Sequence, residues 1–146
     1  SQHAMDLLDP KKTVFESLQD ALPQQTVGVL RNLGAAFLFQ GDDIDKRVDK
    51  LSGGEKSRLV LATMLGRPLN LLILDEPTNH LDIQSRDVLL EALQCFAGTV
   101  LLVSHDRHFL RSLVGRVFEI DHGRMLVYEG DYAYYQRKTG REHRAA

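Results

Sequence analysis

Several features that would mark a specialised protein are scarce or missing in this chain. Its 146 residues include one cysteine, Cys95, so no internal disulfide can form and a reducing, cytoplasmic setting is expected. Proline occurs four times, and there is neither an internal repeat nor a low-complexity segment, which argues against disorder as a whole-chain description. No apolar run approaches the roughly 18 residues that cross a bilayer, so no membrane span is expected. The opening SQHAMDLLDP has neither the basic segment nor the apolar core of a secretory leader. Excess charge is also absent. With 18 basic against 20 acidic side chains the net charge is −2, which argues against a strongly basic face for nucleic acid but allows a local patch. What is present, 43% hydrophobic and 26% charged residues over the length of one domain, suffices to bury about two-thirds of the unfolded surface.

Periodicity divides the chain into a helical first third and an alternating remainder. The spacing predicts a helix over 11–21, stopped near Pro23. A second should follow Thr26 to about Phe39, with Val29, Leu30, Leu33, Ala36 and Phe37 as its apolar stripe. GDDIDKRVDK reads as a solvated connector. A largely apolar, buried helix is predicted from Gly54 to about Leu65. The run 71–74 and the run 99–104 suit strands covered on both faces. Between them 84–96 is helical, with Leu89, Ala92, Leu93 and Phe96 at i, i+3, i+4 and i+7, and Cys95 is expected to be a core thiol. Residues 106–114 read as a helix, VFEID and MLVYE as a hairpin about His122 and Gly123, and the segment from Asp131 as a terminal helix. There Tyr132, Tyr134 and Tyr135 are expected to pin that helix to the sheet, the other reading being stacking on RNA bases. Arg137, Lys138, Arg141 and Arg144 either touch phosphates or form a solvated tail. Strand, helix, strand, helix after a helical stretch implies an α/β fold with a parallel sheet and a preceding helical subdomain.

Three stretches carry chemistry. In Leu51-Ser52-Gly53-Gly54-Glu55-Lys56 a loop becomes a helix. Two glycines there admit a phosphate to the backbone, and the free N–H groups and the helix dipole favour an anion. A plain Ser-Gly-Gly cap without a ligand is the alternative. The strand 71–74 leads into Asp75-Glu76-Pro77. Adjacent strand residues face opposite ways, so one carboxylate can serve a phosphate-bound Mg²⁺ while the other orients or deprotonates water. The second apolar strand ends in Ser104-His105-Asp106, which puts His105 at the sheet edge where open α/β sheets bind ligands. His108 and His122 have no second ligand at metal spacing and read as surface residues.

In order and spacing, LSGGEK, LLILDEPTNHLD and VLLVSHDRHFL resemble the signature loop, the Walker B strand with its D-loop, and the switch histidine of ATP-binding-cassette ATPases. Glu55 after the glycines, DEPTNHLD and SHDRHFL are similar to the F subfamily, twin-cassette proteins without membrane spans, many of which act at the ribosome in translation or antibiotic resistance. The resemblance covers about residues 2–138. It implies that Ser52, Gly53, Gly54 and Glu55 contribute to binding ATP held by an opposing cassette, and that Asp75 serves Mg²⁺, through water. It further implies Glu76 as general base, Asp82 as the D-loop carboxylate and His105 as the switch. Gln2 matches the Gln-loop that senses the metal and the attacking water.

One departure qualifies the match. No G-x-x-x-x-G-K-[ST] occurs anywhere in the 146 residues. The chain is therefore expected to be the C-terminal part of one cassette, the second of its parent, with a partial P-loop NTPase fold. About 1–52 would form the helical subdomain and about 53–146 the core half, with the closing hairpin and terminal helix. The partners so implied are ATP with Mg²⁺, a second cassette and the ribosome or its RNA, and the isolated piece is expected to self-associate and to lack activity. A transporter's nucleotide-binding subunit and a non-catalytic interaction module are the alternatives.

Overall fold

The computed structural model describes residues 8–79 and 81–140, and they fold as two compact units, one ending at Val103 and the other starting at Ser104. Expectations about Gln2, His80, Arg141 and Arg144 lie outside the described residues. The first unit opens with α1 (Val14–Ala21) and α2 (Val27–Ala36). Thr13 starts α1 through a reciprocal cap: the Glu16 N–H donates to its hydroxyl, and its own N–H donates to the Glu16 carboxylate. Thr26 caps α2 through the Val29 N–H. Val14, Leu18, Leu22, Leu30 and Phe37 enter a core that also holds Phe39, Leu51, Leu59 and Ala62.

Two expectations about this region are corrected. Val29 is 47% exposed and Ala36 is also exposed, so the apolar stripe of α2 narrows to Leu30, Leu33 and Phe37. The segment read as a solvated connector is instead two 3-10 turns, Gly41–Asp45 and Val48–Lys50, which bury Ile44 and Val48. Backbone bonds from Val14 N–H to Lys46 O and from Val48 N–H to Lys12 O tie it to the start of α1. Two apolar residues in ten were enough to fold it inward, because charged neighbours can face water while those two do not.

From Gly53–Leu65 runs α3, which buries Leu59 and Ala62 and leaves Met64 at the surface. There follow β1 (Leu71–Asp75), α4 (Ile83–Gln94) and β2 (Thr99–Val103), a βαβ unit whose strands pair parallel from Leu71 opposite Thr99 to Asp75 opposite Val103. Leu72 and Leu74 are buried, as are Leu89 and Leu93 of α4. The other side of the sheet is open. Leu71, Ile73, Leu101 and Val103 share that face at 53%, 66%, 46% and 55% exposure, so strands expected to be covered on both sides are covered on one. Cys95 is corrected too: it is the exposed C-cap of α4, one residue past the end of the helix.

The second unit holds α5 (Arg107–Leu113), the antiparallel pair β3 (Val117–Asp121) and β4 (Arg124–Tyr128), and α6 (Tyr132–Thr139). His122 and Gly123, with φ of 47° and 73°, make the two-residue turn, both left-handed as a tight hairpin requires. Of the three tyrosines expected to pin the last helix, only Tyr135 is buried; it meets Tyr128 of β4 edge-on with ring centroids 5.0 Å apart, while Tyr132 and Tyr134 are half-exposed. Arg111 donates to Gln136, linking α5 to α6. Among the described residues no helix is long and apolar enough to cross a membrane.

Candidate functional site

Five of the residues singled out in the sequence, Ser52, Gly53, Gly54, Glu55 and Asp82, lie where α3 and α4 begin. Ser52 caps α3: the Glu55 N–H donates to its hydroxyl at 3.2 Å, and the Ser52 N–H donates to Glu55 Oε2 at 2.6 Å. Lys46 reaches the other carboxylate oxygen of Glu55 at 2.9 Å. The Ser52 N–H, and after it the Lys46 ammonium and the Ser52 hydroxyl, hold the Glu55 carboxyl down to about 2 from an ordinary 4.5. The cap leaves the first N–H groups of α3 aimed outward, at its positive end, with two glycines beside them. A side chain on Gly53 would enter open space. One on Gly54 would put its Cβ 2.6 Å from Asp82 Oδ2, so the Asp82 carboxylate would have to move away. Gly54 therefore lets the Asp82 loop touch the start of α3.

Asp82 is itself an N-cap, accepting the Ser85 N–H at 2.7 Å. That N–H, then the Ser85 hydroxyl, then Arg58 lower its carboxyl below the usual range. Arg58 was not picked out in the sequence. It is 9% exposed, it donates from Nη1 to the Ser85 hydroxyl at 2.9 Å, and it lies 3.7 Å from Asp82 Oδ2 and 5.7 Å over the Phe39 ring. The signal was available: Arg58 is four residues beyond Gly54, on the same helical face, and directly precedes the apolar run of α3.

A second group stands at the tip of β1. Asp75 ends the strand and is exposed, while Glu76, just beyond it, is half-buried. Strand alternation is not what separates them. Glu76 has φ of +45°, a left-handed conformation that costs a residue other than glycine about 1–3 kcal/mol. Pro77 already disfavours the right-handed helical region at this position. The turn is held from both sides: the Glu76 N–H donates to Val103 O at 2.8 Å, and its carbonyl accepts from Asn79 N–H at 3.1 Å. His105 is exposed and belongs to the second unit, two residues after the last residue of β2.

Among the described residues no group of three or more His, Cys, Asp or Glu could hold a metal ion. A lone exposed carboxylate at Asp75 with Glu76 next to it does fit Mg²⁺ that arrives on a nucleotide, because that ion keeps waters and phosphate oxygens and takes only one or two carboxylates from protein.

The family model described as ABC transporter matches residues 1–79, and the chain belongs to that family. Its similarity is to F-type members. It is 43% identical over 138 residues to ABC transporter F family member 5 of Arabidopsis thaliana, covering 94% of this chain and 20% of that protein. It is 47% identical over 131 residues to the putative ATP-binding protein YdiF of Bacillus subtilis, and 40% identical over 137 residues to the probable ATP-binding protein YheS of Haemophilus influenzae. These matches span 90% and 94% of this chain and 20% and 22% of the relatives, so the chain spans about one fifth of their length. The fold is similar to that of the ATP-binding cassette MJ0796, solved as a dimer in a post-hydrolysis state with ADP and Pi. That match has a TM-score of 0.66 at 19% identity and covers 84% of this chain and 59% of that one. The expected α/β, partial P-loop NTPase fold is thereby met.

The cap makes a pH prediction. Because the folded Glu55 carboxyl is depressed, its stabilisation is full above about 4.5 and is lost as pH falls toward about 2. Glu55→Gln should therefore lower stability at pH 7, with the gap to the native sequence closing below pH 4.5. Urea unfolding between pH 7 and pH 2.5 checks it; a gap that does not change with pH would count against the assignment.

Proposed function

We propose that this chain supplies the catalytic strand tip and the opposing-nucleotide loop of an F-type cassette ATPase. In the intact protein it would hydrolyse Mg²⁺-bound ATP to ADP and phosphate in the cytoplasm and couple that cycle to the ribosome. The observation that carries the reading is the capped start of α3, with its exposed glycine backbone and Asp82 against Gly54. This is an anion-ready surface whose geometry is set before any ligand arrives. Ser52, Gly53 and Gly54, with Glu55 bracing the cap, would contact the γ-phosphate of ATP held by a second cassette. Asp75 would meet the magnesium-bound phosphates, through water. Glu76 would orient and deprotonate the attacking water, Asp82 would serve at the junction of the cassettes, and His105 would steady the γ-phosphate. Gln2 would attend the metal and the water. The ribosomal partner is supported by Glu55 after the glycines and by the Thr78-Asn79-His80-Leu81-Asp82 run, both of the F type. ATP-dependent cosedimentation of the intact protein with purified ribosomes tests it.

The half-buried position of Glu76 generates the first outcome. In the intact protein, Glu76→Gln should retain ATP and slow steady-state turnover by ~10²–10⁴, the usual worth of a general base; turnover within threefold of the native rate would refute the role.

The isolated 146 residues should not hydrolyse ATP measurably and should bind it weakly. They contain no Gly-Lys-Ser/Thr loop to cradle the β- and γ-phosphates, and positioning carries most of phosphoryl transfer. Calorimetric titration with Mg-ATP and a phosphate-release assay decide it, micromolar binding being the contrary result.

The open face of the β1–β2 pair gives a third outcome. With Leu71, Ile73, Leu101 and Val103 unpacked beside unpaired strand edges, the isolated chain should self-associate as its concentration rises. Light scattering should show mass growing with concentration, and Ile73→Lys should reduce it; a concentration-independent monomer would contradict the proposal.

A further inference from the structure

A buried guanidinium presents a problem that the fold solves only in part. Arg58 is nine-tenths buried, and one of its nitrogens, Nη1, faces the Ser85 hydroxyl at 2.9 Å and Asp82 Oδ2 at 3.7 Å. Its Nε is buried without a hydrogen-bond acceptor among the described residues. An apolar side chain of similar length would avoid that desolvation, and buried ion pairs give weak net stability. Stability alone is thus a poor account of this residue.

Its contacts supply another. The α4 cap needs only Asp82 Oδ1 and the Ser85 N–H, which meet at 2.7 Å without help from Arg58. Arg58 engages the remaining atoms: the Ser85 hydroxyl, and Asp82 Oδ2, the oxygen that stands against Gly54. Behind it lies the ring of Phe39, 2% exposed, so the cation rests on the helical core while reaching toward the start of α4. Asn79 N–H bonds Glu76 O, Leu81 N–H bonds Thr78 O, and Thr78 and Leu81 are buried. The Leu81–Thr78 and Asn79–Glu76 bonds overlap, and so link Leu81, the neighbour of Asp82, back to the left-handed turn at Glu76.

We propose that Arg58 is a positioning residue that couples the anion-facing start of α3 to the Glu76 turn, so that what binds at Ser52, Gly53 and Gly54 sets the geometry of Glu76. It rests on the reading of Glu76 given above and adds a residue to it. Arg58 is assigned a positioning role and not a catalytic one. It acts through Ser85 and Asp82, and its removal loosens the Glu76 turn while the phosphate-binding backbone stays in place.

The test uses the intact protein, with Arg58→Met, Arg58→Lys, Ser85→Ala and the Arg58→Met/Ser85→Ala pair. Arg58→Met should lower kcat about tenfold or more, within the ~10²-fold that a small misplacement of reacting groups can cost, while KM for ATP changes less than about threefold. Arg58→Lys keeps the charge without the fork and should recover part of the loss. The double variant should be no more than about twofold worse than Arg58→Met, because both changes break one link. Amide exchange over 76–82 should quicken in Arg58→Met without nucleotide. The proposal is overturned if kcat stays within twofold of native, if the loss falls on KM, or if the two losses multiply. Should Arg58→Met fail to melt cooperatively, Ser85→Ala decides alone: a drop in kcat at constant KM supports the coupling, and native kcat ends it. Glu76→Gln runs alongside. If that variant turns over normally, the reading of Glu76 fails; if it stalls while the Arg58 series is silent, only the coupling fails.

Discussion

A positive charge taken out of water must be given partners, and the first unit is arranged around that requirement at Arg58. The guanidinium joins three pieces of chain far apart in sequence: Phe39 from the helical core, its own helix α3, and the beginning of α4 at Asp82 and Ser85. Ser85 is wholly buried and Asp82 caps its helix, so neither can drift without exposing a polar group to apolar surroundings. The glycine at 54 is the geometric complement of this arrangement, since any side chain there would displace Asp82 Oδ2. An ionic contact, a buried hydroxyl and a missing Cβ together place the start of one helix against the start of another.

The elements were legible in the sequence because their signals are local. The helix start at Ser52 was read from the loop that precedes it and carries a reciprocal cap with Glu55, whereas the helix expected from residue 11 starts at Val14, where Thr13 and Glu16 cap it. The apolar runs at 71 and 99 announced strands, and the His122-Gly123 pair a tight turn. What was not legible depends on neighbours distant in sequence. Ile44 and Val48 lie in a charged stretch and are pulled inward by bonds to the start of α1. Cys95 looked apolar among apolar residues, yet the helix ends just before it and turns it outward. An unbroken apolar strand states that both faces avoid water, but not which piece of chain covers each.

The candidate site divides in the same way. The Ser52 loop, Asp75 and Glu76 could be named from residue type and order, and Asp82 through the family resemblance; the structure groups Ser52, Gly54, Glu55 and Asp82 at two helix starts. Arg58 escaped notice because an arginine in a helix is usually a solvated one, and only its surroundings say otherwise. His105 was named for its place just after the second apolar strand, and it opens the second unit two residues beyond β2.

The left-handed backbone at Glu76 has an evolutionary consequence. Glycine would occupy φ of +45° without strain, and asparagine with less of it, so selection for a sturdier fold alone would move position 76 away from glutamate. A carboxylate in an uncomfortable conformation, just past the end of a strand, is where the proposed catalytic use and the folding of the chain would draw the sequence in opposite directions. Redesign of this segment for stability alone would remove the group proposed as general base, and would register the change as an improvement.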